Sequence, residues 1–180
     1  HVKRLMYDHE VLWQSLMDKL VDTVADYVQL QIASGAQAIQ LFDSWVGCLS
    51  LADYERYVAP ATRRLMERIQ GNLPIIYFGT GNAHLLDAMY ATGPDLMALD
   101  WRVPLVATWD RLGSRAIQGN LDPIVLCGEP GSMTNQAQTL IDEVGGRPGH
   151  IFNLGHGIIP ETPVDNVKRL VDFVREQTAR

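Results

Sequence analysis

Apolar residues recur at every fourth position from Leu12 through Leu16, Leu20, Val24 and Val28 to Ile32, with Val21 alongside. That spacing predicts one face of a long amphipathic helix, and Gly35 is its natural stop. Short apolar runs then alternate with helical stretches. The runs at 38–42, 74–78, 96–99, 116–119 and 151–154 predict five strands. Between the first two, Ser50 with Asp53 resembles a capping box with Asp in place of Glu. Pro60 should kink or split the helix that follows, before it continues to about Gln70. Further helices are expected through Leu85, Leu86 and Met89 as far as Gly93-Pro94, over 105–112, and around 136–144. Thr162 is expected to cap a last helix, with Pro163 at its first position. Val164, Val167, Leu170, Val171 and Val174 would give that helix its core face.

No hairpin signal separates the strands, so the alternation implies parallel βα units. Every strand also ends in polar or glycine residues: Asp43-Ser44, Gly79-Thr80-Gly81, Asp100-Trp101-Arg102, Asn120 to Asp122, and Gly155-His156. In a β/α barrel such ends meet at one mouth, where the chemistry sits. A whole barrel needs about 250 residues and eight strands. The chain has 180 residues, so the expectation is part of a barrel: parallel strands in chain order, curved as an arc, with their polar ends on one rim. An open arc should leave its inward-facing side chains less buried than a closed barrel would.

Composition narrows the function classes. Hydrophobic residues make up 47% and charged residues 20%, a globular balance. A net charge of −6 argues against a nucleic-acid partner, which calls for a basic face. No apolar run approaches the ~20 residues of a membrane span. The chain starts with His1, so its true start is open. Cys48 and Cys127 are far apart and lack a CxxC partner, which suits a reduced, cytoplasmic protein.

The stretch from Gly149 to Pro160 carries the sharpest chemical signal. A short, mostly apolar run reads as a buried strand and stops at Gly155-His156-Gly157. The two glycines leave the His156 backbone uncrowded. A titratable ring at the C-terminal edge of a sheet stands where α/β folds place ligands, or it is simply a surface histidine on a turn. Ser44 by itself reads as a turn serine. Gly79-Thr80-Gly81 could present backbone N–H groups to an anion, although it is no P-loop. Asp100 and Asp122 read as structural, through turn and helix-start hydrogen bonds. Asp43 is either a mouth carboxylate or a paired one. Arg102 would offset that charge or be solvated.

Four blocks carry a family resemblance: Gln40-Leu41-Phe42-Asp43-Ser44, Leu99-Asp100-Trp101, Gln118-Gly119-Asn120-Leu121-Asp122-Pro123, and Ile151-Phe152-Asn153-Leu154-Gly155-His156-Gly157. In order and spacing they resemble the C-terminal half of uroporphyrinogen decarboxylases. The resemblance implies an α/β fold, a TIM (β/α)8 barrel, of which residues 1–180 would be the C-terminal portion of a single domain with about five parallel strands. It implies a cytoplasmic homodimer that removes the four acetate carboxyl groups of uroporphyrinogen III to give coproporphyrinogen III, with no cofactor and no metal. It assigns Ser44 to binding substrate carboxylate, and His156 to binding substrate and to catalysis through proton handling. The family's arginine-rich segment, pyrrole-gathering aspartate and tyrosine have no counterpart here, and Tyr7 has no context that would make it that tyrosine.

Two other classes compete. Corrinoid-dependent methyltransferases share the barrel and bind zinc through a His-x-Cys pair and a later Cys. The corresponding strand end here is Tyr77-Phe78-Gly79-Thr80-Gly81, His84 and His150 are lone, and neither cysteine has a histidine at ligand spacing. A non-catalytic interaction module derived from the barrel is the third reading. Elemental analysis separates the first two: the decarboxylase reading expects no stoichiometric zinc in the purified protein, and one zinc per chain would sink it. Tetrapyrrole binding would oppose the third.

Overall fold

The computed structural model describes residues 2–69, 71 and 73–179. As the alternation predicts, five parallel strands form one sheet, in chain order. The chain divides into two compact units, residues 1–96 and 97–180.

The first unit holds α1 (Val2–Asp8), α2 (Glu10–Ala33), β1 (Ile39–Asp43), a 3₁₀ turn (Val46–Cys48), α3 (Leu51–Tyr57), α4 (Ala59–Ile69), β2 (Ile75–Gly79) and α5 (Leu86–Tyr90). Parallel strands need a long crossover, and α3 with α4 supplies it. β1 pairs with β2 from Ile39 opposite Ile75 to Asp43 opposite Gly79. Arg56 pairs with Glu10, Arg64 with Asp18 and Arg68 with Asp22, always 46 residues apart. A constant offset requires that α2 and the α3–α4 segment point the same way. These ion pairs are solvent-exposed, so each is worth only ~0–1 kcal/mol. The stabilising mass is apolar: Tyr54, Met66, Ile69, Ile75, Leu86 and Met89 are fully buried.

The Ser50 cap is present, with the Asp53 N–H donating to Ser50 Oγ at 3.1 Å. The split is present too: Val58 separates α3 from α4, and Pro60 falls in the first turn of α4, where its missing N–H is harmless. α4 closes at Ile69, and Gln70, the expected end, lies outside the described residues.

The face predicted for α2 holds only in part: Val21 and Val28 are buried as expected, but its N-terminal leucines are not. Leu12, Leu16 and Leu20 are 58%, 39% and 47% exposed, while Trp13, Val21, Ala25 and Val28 are buried. A helix advances about 100° per residue, so a strict four-residue repeat drifts by roughly 40° per step. Leu12 therefore stands about 160° around the helix from Val28, and the six residues cannot share a face. Packing on α4 selects the Trp13 side, where the indole N–H donates to the Tyr57 carbonyl at 2.7 Å.

β3 (Leu96–Ala98) falls at the boundary between the units. The second unit continues with α6 (Leu105–Leu112), β4 (Ile117–Leu121), a 3₁₀ turn (Pro123–Cys127), α7 (Pro130–Val144), β5 (His150–Leu154) and α8 (Val164–Thr178). Met97 stands opposite Ile117, and β4 pairs with β5 from Ile117 opposite His150 to Leu121 opposite Leu154. α7 begins earlier than expected because Pro130 suits a first turn. Thr162 does not cap α8: Pro163 is the N-cap residue, and the Thr162 hydroxyl meets Cys127 Sγ at 3.7 Å. The core face of α8 also differs from expectation. Leu170 is buried, but Val164 and Val171 are exposed. Asn166 is buried in their place and donates Nδ2 to the carbonyls of Leu126 and Gly128.

β2, β3 and β4 are buried throughout, but β1 and β5 are not. Phe42 and Ile151 are 68% and 43% exposed, since each end strand has one neighbour only. β5 was expected to be buried; it alternates instead between half-buried and exposed.

The corrected α2 face makes two adjacent residues unequal. Trp13→Ala should cost ~3–5 kcal/mol, the range for truncating a buried aromatic residue. Leu12→Ala should stay within ~0.5 kcal/mol. Denaturant unfolding of the two variants measures both values.

Candidate functional site

In the first unit the candidate groups sit where β1 and β2 end. Ser44 follows β1 in a turn and is half-buried. Its carbonyl accepts the Thr80 hydroxyl, which ties the turn after β1 to the one after β2. Gly47 makes this approach possible, since a Cβ there would lie 2.3 Å from the Thr80 carbonyl oxygen. The Gly79-Thr80-Gly81 segment thus serves as a packing partner for the Ser44 turn. Asn82, just beyond it, is fully buried. Its Nδ2 donates to Met89 Sδ at 3.1 Å, while its Oδ1 has no hydrogen-bond partner.

Asp43 closes β1 as a paired carboxylate. The Tyr77 hydroxyl donates to its Oδ2 at 3.1 Å, and the Tyr54 hydroxyl lies 3.5 Å from that of Tyr77. Burial pushes the Asp43 carboxyl above the usual aspartate range, and the Tyr77 hydrogen bond offsets part of that rise. Burial raises the Tyr77 phenol as well, with the negative charge of Asp43 adding to it, so Tyr77 stays a donor.

In the second unit the strand ends are organised around Asp100, whose side chain is fully buried. Its carboxylate accepts the Arg102 N–H at 2.8 Å and Arg102 Nη1 at 2.6 Å. Arg102 thus pairs with Asp100 and not with Asp43, the partner that the sequence reading offered it. Asn120, at the end of β4, donates Nδ2 to the carbonyls of Asp100 at 2.9 Å and Val103 at 2.6 Å. Asp122 accepts the Ile124 N–H and caps the 3₁₀ turn, a structural part like that of Asp100. The Arg102 guanidinium stacks on the Trp101 indole, 3.6 Å from the ring centroid.

His156 stands just beyond β5 and is exposed. Its ring meets Trp101 edge to face, with centroids 6.2 Å apart and an interplanar angle of 90°. The flanking glycines have unequal jobs. A Cβ on Gly155 would lie 2.2 Å from the Trp101 backbone nitrogen, whereas one on Gly157 would meet nothing within 4 Å. Gly155 therefore permits the contact that sets His156 beside Trp101. The lone histidines are occupied elsewhere: His84 Nε2 lies 2.7 Å from the Leu49 carbonyl, and His150 Nε2 lies 2.7 Å from that of Gly119. Burial lowers the His150 pKa.

Ser44 and His156 thus belong to different units, each at the end of its own strand. Sequence reasoning missed the Trp101–Arg102 stack and the double donation by Asn120. Polar residues two apart at a strand end were the one available signal, and periodicity does not register them. Among the described residues no group of three or more His, Cys, Asp or Glu side chains could hold a metal ion. Cys48 and Cys127 are free and exposed.

Residues 1–177 match the family model described as "Uroporphyrinogen decarboxylase (URO-D)". The chain belongs to the uroporphyrinogen decarboxylase family. A uroporphyrinogen decarboxylase of Koribacter versatilis is 50% identical over 99% of the chain and 52% of its own length. One from Solibacter usitatus is 50% identical over 97% and 51%, and one from Thermus thermophilus 46% identical over 99% and 52%. The chain therefore spans about half the length of these relatives. A solved methyltransferase from Methanosarcina mazei shares the fold, with a TM-score of 0.83 over 99% of the chain and 53% of the methyltransferase at 22% identity. The family match runs through both units, so Ser44 and His156 both lie within it.

Two predictions come from this geometry. Gly155→Ala should destabilise the protein by ~1–3 kcal/mol through overpacking against Trp101, while Gly157→Ala should be close to neutral; thermal melts compare them. For Asp43, a folded pKa above the unfolded value makes the folded state bind more protons. Stability from this group is then greatest below the ordinary aspartate pKa and falls as pH rises through the raised one. Asp43→Asn should remove that fall, so its stability relative to wild type should increase from acid to neutral pH in urea titrations. A parallel pH dependence of the two proteins would contradict this.

Proposed function

We propose that this chain is the C-terminal portion of one (β/α)8-barrel domain of a uroporphyrinogen decarboxylase, which converts uroporphyrinogen III to coproporphyrinogen III. The observation that carries the reading is the family match over residues 1–177, joined to ~50% identity with relatives of that name. The methyltransferase reading rests on a shared fold at 22% identity, and fold alone does not set chemistry.

The reaction breaks the C–C bond between an acetate methylene and its carboxylate. Carbon dioxide leaves, the electron pair passes into a protonated pyrrole, a proton from the enzyme completes the methyl group, and the ring gives back the proton that activated it. The protein must hold carboxylates in place and deliver protons. In this reading His156 donates a hydrogen bond to a substrate carboxylate and takes part in proton handling. The Ser44 hydroxyl donates to another carboxylate. The pyrrole-gathering carboxylate, the acid and the arginine-rich segment come from the other half of the relatives' length. The working enzyme is a cytoplasmic homodimer that needs no cofactor. Among the described residues no helix is long and apolar enough to cross a membrane.

The chain alone should show no appreciable turnover, because the catalytic groups act as a unit and their effects are not additive. Joined to the N-terminal half of the Koribacter relative, it should decarboxylate uroporphyrinogen under anaerobic conditions. In that fusion His156→Ala or Ser44→Ala should each lower kcat/KM by roughly 10-fold or more, the loss of a hydrogen bond to a charged group. Turnover by the chain alone, abolished by His156→Ala, would refute the division of labour. An inactive but folded fusion would refute the activity.

A further inference from the structure

Arg102 is built differently from an ordinary surface arginine. Long cationic side chains on a surface sample many rotamers, and binding must order them at an entropic cost. Here that ordering is already present. Asp100, itself fully buried, fixes the Arg102 backbone N–H and one guanidinium nitrogen, at 2.8 and 2.6 Å. The Trp101 indole supports the flat face of the guanidinium at 3.6 Å. Asn120 holds the carbonyls of Asp100 and Val103, so the loop that carries the arginine is itself pinned.

The restraint leaves the head accessible, with the Arg102 side chain 55% exposed. A guanidinium carries five N–H donors in a planar fork that matches a carboxylate. The contact to Asp100 goes through Nη1, which is part of that fork. His156 packs on the same indole edge to face, so two groups able to donate to an anion flank one aromatic ring.

We propose that Arg102 is a carboxylate clamp, which binds one acetate or propionate arm of the substrate beside His156. The inference rests on the decarboxylase reading and adds to it a binding residue on the Trp101 face. Restraint by Asp100 and Trp101 makes the clamp rigid, and rigidity is what turns a surface cation into a selective group. The bland role for Arg102, neutralising a buried carboxylate, needs only positive charge. Arg102→Lys keeps that charge and loses the planar fork and the stack. The variant therefore separates the two roles.

The experiment uses the ¹⁵N-labelled chain joined to the N-terminal half of the Koribacter relative and follows the Arg102 Nε–H and Trp101 Nε1–H resonances. Glutarate and uroporphyrin are the probes, titrated separately at constant ionic strength. The clamp predicts that both resonances shift together and saturate with one Kd, and that Arg102→Lys raises that Kd at least 5-fold for both probes. The Tm of the variant should stay within a few degrees of wild type. Equal affinity in wild type and Arg102→Lys would overturn the clamp, as would shifts that never saturate. Uroporphyrin binding that leaves both resonances unmoved would overturn the clamp while keeping the substrate reading. Saturable glutarate binding at Arg102 without uroporphyrin binding would support a carboxylate site and overturn the tetrapyrrole reading.

Discussion

The second unit depends on how one buried carboxylate is satisfied. Asp100 is the one charged residue among the described residues that is buried. Taking a carboxylate out of water costs several kcal/mol unless its charge and lone pairs are met. Arg102 meets them with a backbone and a side-chain donor. The loop after β3 is thereby fixed, Asn120 locks it to the end of β4, and Trp101 is held where the Gly155 backbone can press against it. The position of His156 is the last link of this chain of contacts. A histidine on a glycine-flanked turn would otherwise be free to move. Here its neighbour's lack of a side chain is what brings it to the indole.

The first unit handles its carboxylate in another way. Asp43 has no guanidinium in its cluster and relies on the Tyr77 hydroxyl. One neutral donor compensates a half-buried charge poorly, so the pKa of the group is raised. Two strand-end aspartates in one chain thus play different parts, set by the neighbours that fold around them. Neither stands as an isolated negative charge at its strand end.

Much of the architecture was legible in the sequence. Strand positions follow from short apolar runs bounded by polar and glycine residues, and the parallel arrangement follows from the helices between them. The Ser50 cap and the break near Pro60 were legible because both are local, set by a side chain within three residues of the backbone that it affects. What failed was the choice of face. Leu12 and Val164 fit an apolar pattern yet lie in solvent, because the face of a helix is decided by its partner and not by its own periodicity. Asn166 shows the converse: a polar residue is buried because two carbonyls, 38 and 40 residues away in sequence, need its amide. Ser44 was singled out by the family resemblance alone, and His156 by that resemblance together with its strand-end position. Arg102 was left unresolved, since its role comes from a stack and an ion pair that no spacing rule encodes.

The central claim is that the ends of these strands bind the carboxylate arms of a porphyrinogen. A crystal structure with coproporphyrinogen, determined on the chain joined to a relative's N-terminal half, tests it most directly. The account predicts one substrate carboxylate within hydrogen-bond distance of His156 and one within reach of Ser44 Oγ. A macrocycle bound at the opposite ends of the strands, or one whose carboxylates leave both residues untouched, would contradict it.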